Sequence, residues 1–413
     1  MEWDVSSIEG PDGDDWRVPT SETNERQARL AAKLTEAGIE SALIHDPVDM
    51  YWLTGSRQAG AVLIGGEEST TESAYFVRQS VDRALWETGE SDAPLPVLAH
   101  PRANALRETL EERGVMGEVA MQLGRMPHSQ GEFLRSKVGK GSDCTGLVWE
   151  LRETKSDWEI EQMLASGEVN RWMFEAIYDE GGEGVSEIEL AAAAESVSRA
   201  AGFGGNVMMR KWPMNCDRVV IAAGSSGSVP TYFDSAVGGT GPHPMAGLGA
   251  GFHRIKRGEP VLVDIVHTHR GYVSDCTRIF SVGPLDSEWE ERLSTMEEAR
   301  GAIVASLGSG ENCSAAYEKG VDVAKQAGLD GHLMGMPPEQ ARFLGHSIGL
   351  ELDETPVVAA GFDRPLHQGG TMAIEPKVIF PNGAVGPEDC WVRRDDGLQC
   401  LTAGDLIPLH QEW

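Results

Sequence analysis

Lysine is scarce in this chain: only 9 of its 413 residues, within a total of 35 basic against 65 acidic residues and a net charge of −30. A surface so negative repels nucleic acid and anionic membranes, which excludes both as partners. A concentrated acidic tail is lacking too. Acids recur throughout, in GEEST, SDAP, DSEWEER and RRDDG, so the charge reads as a whole-surface adaptation to a salt-rich cytoplasm, where screening tolerates self-repulsion. Cysteine is sparse and scattered: Cys144, Cys216, Cys276, Cys313, Cys390 and Cys400 show no CxxC spacing. That excludes a disulfide framework and a thiolate zinc site and points to reduced, mostly structural thiols. No apolar run reaches the roughly 18 residues of a membrane helix. The opening MEWDVSSIEGPDGDD is acidic where a signal peptide would be basic, so a cytoplasmic location is expected.

What is present is a globular, loop-rich composition, 40% apolar with 49 glycines, long enough for two or three domains. Residues 1–21 are polar, with Gly-Pro and Pro-Asp-Gly clusters, and read as a poorly ordered arm. Residues 22–147 alternate helical and strand patterns, from TNERQARLAAKLTEAG, stopping at Gly38, through ESALIH, AVLIGG, SAYFVR and PLPVLAH to ANALRETLEERG and GEVAMQL. This is an α/β domain. It has no phosphate-binding glycine loop and no His/Asp/Glu cluster, so a structural or substrate-capping role is expected.

Residues 148–413 read as α+β. A long helix with a capping box, Ser156 with Glu159, precedes a second box, Ser186 with Glu189. Strand candidates NVMMRK and RVVIAAG follow, then a Gly/Ser/Pro-rich loop from Ser225 to Gly251, long enough to be functional or mobile. Two more helices, EWEERLSTMEEARGAIVASL and CSAAYEKGVDVAKQAG, lead to the strands GTMAIEPKVIF and EDCWVRRDD.

Between them lies PVLVDIVHTHRGYVSDCTRIFSVG, a β-hairpin whose two apolar runs each carry one acid. With the turn centred between His269 and Arg270, Asp264 faces Asp275. Opposed carboxylates repel, and a metal ion between them is the natural remedy; two solvated acids on an edge hairpin is the other reading. His346 stands between glycines in FLGHSIGLELDETP, Glu375 inside the apolar run TMAIEPKVIF, and Glu388 at the start of the strand in NGAVGPEDCWV. Singly these are a hydrogen-bonded core histidine and acids at strand ends. Together with Asp264 and Asp275 they make four carboxylates and one imidazole, a set that suits Mn, Co, Zn or Fe(II). Four carboxylates exceed what one catalytic zinc takes, so two bridged ions are implied.

These segments, in order, resemble the metal-site motifs of the pita-bread metalloenzymes: prolidase, aminopeptidase P, methionine aminopeptidase and creatinase. The matching pieces are VSDCTRIF, GHSIGLE, IEP, and GPED followed by CLT. RQARLAAKLTEAGIESALIHDPVDMYWLTG looks like the opening of the creatinase-type N-terminal domain, and LRETKSDWEIEQM like the entry to the catalytic domain; the likeness spans roughly Glu25 to Thr402. It implies a C-terminal pita-bread domain behind a creatinase-like α/β domain, with Asp264, Asp275, His346, Glu375 and Glu388 holding two divalent ions per chain. Mn or Co is expected first, then Zn or Fe. It also implies a homodimer and a hydrolase for short peptides, of the Xaa-Pro aminopeptidase or dipeptidase type, with Glu375 as proton acceptor for a metal-bridging hydroxide.

The sequence departs from that family around the metals. Asp353 stands where resembling peptidases have a histidine seven residues after the ligand histidine, Arg342 replaces another four residues before it, and Thr231 occupies the place of a third. His243, in the long loop, is the candidate to substitute. Asp353, Arg342 and His243 are therefore expected to take over roles in holding substrate. The alternative is a non-peptidase enzyme on the same scaffold, such as a creatinase, an ectoine-type amidohydrolase or a dimethylsulfoniopropionate lyase. A catalytically dead binding protein is disfavoured by the complete ligand set.

Overall fold

The computed structural model describes residues 8–89, 92–211, 216, 219–402 and 404–413. The chain divides into two compact units, Met1–Arg152 and Glu153–Trp413. The first seven residues of the expected N-terminal arm lie outside the described residues; helical structure starts at Thr20.

The first unit is built on a five-stranded sheet in the order Val97–Ala99, Ala74–Val77, Gly60–Gly65, Ser41–Ile44, Ala120–Met121. The three middle strands pair antiparallel and the two outer ones join parallel. Each middle strand is apolar and almost wholly buried, with helices on the sheet. Its buried charges come in matched pairs. The Arg152 guanidinium donates to Asp49 at 2.6 Å, the Gln122 amide donates to the same carboxylate at 2.5 Å, and Arg125 donates to Asp46 at 2.8 Å.

The second unit carries two larger sheets. One runs His410–Glu412, Tyr272–Ser281, Val261–His269, Val219–Ala223; the other runs Glu354–Ala359, Phe343–Ser347, Thr371–Ile374, Asp389–Arg394, Gly397–Cys400. A two-stranded piece, Val378–Phe380 with Gly383–Val385, lies beyond. Helices Asp157–Glu180 and Glu187–Ala200 cover one side through Val169, Met173, Phe174, Ile177, Leu190 and Ala194. Ser287–Ser309 and Cys313–Gln326 pack through a second apolar cluster that includes Leu293, Met296, Ile303 and Leu344. Both capping boxes form, at Ser156 with Glu159 and Ser186 with Glu189. Among the described residues no helix is long and apolar enough to cross a membrane.

Two readings of the sequence are corrected here. The segment NVMMRK forms no strand; it runs as a loop held by the Leu352 amide donating to the Met208 carbonyl at 2.9 Å. And the hairpin pairs two positions away from the expected register. Arg270 and Gly271 both have positive φ, 52° and 93°, so the turn has two residues and centres between them. Asp264 therefore faces Thr277 and Asp275 faces Val266. The carboxylates are diagonal neighbours on one face rather than opposed. The signal was hidden because arginine seldom adopts that backbone region. Here Arg270 spans outward contacts, lying over the Trp158 ring at 5.1 Å and donating to Gln162 at 3.3 Å.

Candidate metal centre

Residues spaced by two share a face of a strand, so the hairpin turns Asp264 and Asp275 to the same side. The second sheet arrives on that side at one place. Glu388 and Thr277 form a bridge between the sheets, and the Thr277 hydroxyl donates to Glu388 Oε2 at 2.8 Å. His346 pairs with Ala373 on the neighbouring strand, and Glu375 follows directly after that strand, its amide donating to the Leu344 carbonyl at 3.0 Å.

The five residues converge. His346 Nε2 lies 3.5 Å from Glu375 Oε1 and 4.0 Å from Asp275 Oδ2. Asp275, His346 and Glu388 each offer a ligand atom, all within 4.8 Å of one another. Asp275 Oδ1 and Glu388 Oε1 are buried without a hydrogen-bond partner. Buried carboxylate oxygens rarely stay so. With the protein's own charges alone, burial pushes the Asp275 carboxyl well above its ordinary range, and Glu388 and Asp264 beside it push it further. Burial and Glu375 lift Glu388 to about 8. For Glu375 burial acts the same way but is outweighed by Lys377 and His346, which hold it at about 2. Carboxylates pressed together at this cost are a donor set awaiting positive charge, and oxygen with imidazole nitrogen fits a hard or borderline divalent ion.

One cation is already there. Lys377, fully buried, donates to Glu388 Oε2 at 2.6 Å, Glu375 Oε2 at 2.7 Å and Asp264 Oδ2 at 3.3 Å. Sequence reasoning passed over it, although a signal existed: a lysine in a lysine-poor chain, inside an apolar run, two residues from Glu375.

Asp264, Asp275, His346, Glu375 and Glu388 lie in the wall of a cavity of about 270 Å³, whose other walls are largely apolar, with Val220, Phe233, Leu248, Val266, Phe343 and Leu352 among them. Asp353 also lines it. Its two oxygens, however, accept the backbone N–H groups of Arg210 at 2.6 Å and Lys211 at 2.9 Å, so the carboxylate fastens the loop that replaced the expected strand. Arg342 and His243 are both exposed and do not line this cavity. The His243 carbonyl accepts from the Ala246 amide at 2.8 Å in a surface turn.

At the start of the strand Asp389–Arg394, next to Glu388, sits a second charge cluster that sequence reasoning missed. Asp389 accepts from Arg278 Nη2 at 3.1 Å on both oxygens, from the Thr402 hydroxyl at 2.7 Å, from the Gly404 amide at 3.0 Å, and from Arg300. Burial would raise this carboxyl, but Arg278 and Arg300 outweigh it and hold it below its ordinary range.

Residues 161–395 match the profile of metallopeptidase family M24, and residues 26–154 match the creatinase/prolidase N-terminal domain. Among curated proteins, the chain is 24% identical to an Xaa-Pro dipeptidase of Pyrococcus furiosus over 92% of this chain and 97% of the relative. It is 33% identical to the probable dipeptidase PepE of Mycobacterium tuberculosis, over 38% of this chain and 41% of that protein. Among solved structures, the Xaa-Pro dipeptidase from Bacillus anthracis superposes with a TM-score of 0.78 at 22% identity, covering 94% of this chain and 100% of that one. Dipeptidase PepE from Mycobacterium ulcerans gives 0.77 at 22% identity, covering 96% and 99%. The chain thus belongs to metallopeptidase family M24, as an Xaa-Pro dipeptidase-like hydrolase that joins a creatinase-type N-terminal domain to a pita-bread catalytic domain.

Proposed function

We propose that this chain hydrolyses short peptides of the Xaa-Pro type at a metal centre formed by Asp264, Asp275, His346, Glu375 and Glu388. The observation that carries the reading is the convergence of four carboxylates and one imidazole, with orphaned buried oxygens, on a cavity of about 270 Å³ with apolar walls. A space of that size suits a small molecule of dipeptide scale, and apolar walls suit a proline ring or an aliphatic side chain. These five residues would hold a divalent ion, which would supply Lewis acidity and lower the pKa of water there. Glu375, kept ionised by Lys377 and His346, accepts hydrogen bonds and is the proposed proton acceptor from the attacking water. Phe343 and Leu352 supply apolar wall in the same cavity.

A non-peptidase reaction on the same scaffold is the second reading, and Asp353 favours it. Where resembling peptidases place a hydrogen-bond donor for a developing oxyanion, this carboxylate only accepts, and both its oxygens are engaged by backbone amides. A screen of free and N-blocked Xaa-Pro dipeptides beside small amidines and betaines, with and without chelator, separates the two. Chelator-sensitive release of proline supports the peptidase. Turnover confined to amidines or betaines overturns it.

A further inference from the structure

The Lys377 side chain does more than hold Glu375 ionised. It is wholly buried, and its ammonium, with three N–H bonds, meets three carboxylate oxygens from three separate parts of the chain. Its stem is accommodated by design of the backbone. A Cβ on Gly386 would come within 2.7 Å of Lys377 Cα and 2.8 Å of Lys377 Cγ, so glycine there leaves room for the methylenes. The lysine is a built component of the centre.

A transition-metal ion binds carboxylate oxygen at about 2.0–2.2 Å. An ion shared by Asp264 Oδ2, Glu375 Oε2 and Glu388 Oε2 would need the lone pairs that Lys377 already takes, and would fall inside the van der Waals envelope of its nitrogen. The remaining oxygens behave differently. Asp275 Oδ1 and Glu388 Oε1 have no partner, while Glu375 Oε1 and Asp275 Oδ2 lie toward His346 Nε2. One cation position is therefore filled by protein and one is left. Two unpartnered carboxylate oxygens beside an imidazole nitrogen remain, and that position still calls for an ion.

We infer that the centre takes one divalent ion, on Asp275, His346 and Glu388 with Glu375 beside them, and that Lys377 stands as a permanent positive charge in the place of a second. The expectation of two ions per chain is thereby reduced to one. The inference rests on the reading that these carboxylates bind metal. It assigns Asp264 a different role: holding the ammonium rather than an ion. A fixed ammonium cannot be chelated and cannot exchange, so one of the two cation positions that a two-ion centre fills from solution is here filled by the chain.

The test is stoichiometry, read without reference to turnover. The full chain is stripped, loaded with excess Mn²⁺, desalted, and examined by elemental analysis and electron paramagnetic resonance. One equivalent with the six-line signal of isolated Mn²⁺ is expected, rising to two equivalents with an exchange-broadened signal in Lys377→Gly. Lys377→Ala, which removes the ammonium together with the stem that fills the position, serves if the glycine variant does not fold. Two equivalents in the unaltered chain would overturn the lysine inference and leave the metal reading standing. One equivalent in all three proteins would show that lysine displaces nothing, and would likewise overturn it. No retained metal in any of them would bring down the metal reading itself, and the inference with it.

Discussion

Glu388 and Asp389 are adjacent in the chain, both almost fully buried, and side by side on one strand end, yet their surroundings are opposite. Asp389 is met by two guanidinium groups, a hydroxyl and an amide, and burial is more than compensated. Glu388 shares one ammonium with two other carboxylates and leaves an oxygen orphaned. The first arrangement is closed: every group that burial strips of water has a partner supplied by the chain. The second is open by one ion. Buried charge in itself marks neither; the unbalanced remainder marks the site.

Removing a partner from the closed cluster should have the largest effect. Arg278→Met leaves Asp389 short of its bidentate partner and is expected to cost about 3–5 kcal/mol, measured by urea unfolding, with no recovery on adding Mn²⁺. Recovery would mean the two clusters are coupled through the strand. Neutralising the acids themselves should separate them next. Asp389→Asn is expected to destabilise by about 2–3 kcal/mol with metal retained, whereas Glu388→Gln should keep or raise thermal stability under chelation and lose metal binding. Equal signs for the two would erase the distinction drawn above.

A third case lies in the first unit, where an unsatisfied group has no ion to await. His45 Nε2 is buried without a partner, and burial lowers its pKa to about 4. Because the folded value is depressed, the unfolded chain binds the proton first. Stability is complete above about pH 6.5 and falls as pH drops toward 4. Between pH 7 and 5 the loss should be about 2 kcal/mol, visible as faster amide exchange in Ser41–Ile44, and His45→Gln should flatten it. The smallest effect concerns the surface. If the net charge of −30 is an adaptation to salt, molar KCl should raise the melting temperature by relieving self-repulsion. The gap between Arg278→Met and the unaltered chain should stay constant, since buried pairs are screened little. A melting temperature that is flat or falls counts against the salt reading.

The ligand candidates were legible because each acid or imidazole interrupts an apolar or glycine-flanked run, a conflict that local sequence displays. Helix ends were legible for a similar reason: Ser156 and Ser186 carry their capping partners three residues on. What escaped depends on distant chain. Asp353 looked like a group free to meet substrate because its partners, the amides of Arg210 and Lys211, are more than a hundred residues away and carry no side-chain signature. The loop histidine His243 looked available because exposure of a glycine-rich turn is decided by packing. The hairpin register turned on the backbone angle of Arg270, which no periodicity reports. Lys377 had a local signal, but strand lysines ordinarily snorkel outward, and only the gathering of three carboxylates shows that this one does not.

The two-residue turn at Arg270-Gly271 bears on the order in which this unit assembles. A hairpin closed by so short a loop forms in about 1–10 microseconds, and it sets Asp264 and Asp275 on one face before any distant segment has arrived. His346, Lys377 and Glu388 come from more than seventy residues further on and pay a far larger loop-closure entropy. The early hairpin is thus a repulsive template. Lys377 can relieve it during folding without a metal, so the chain can reach its native topology in a cell where the ion is scarce and take up the ion afterwards. Arg270→Gly, by easing the turn, should speed refolding and leave metal uptake unchanged.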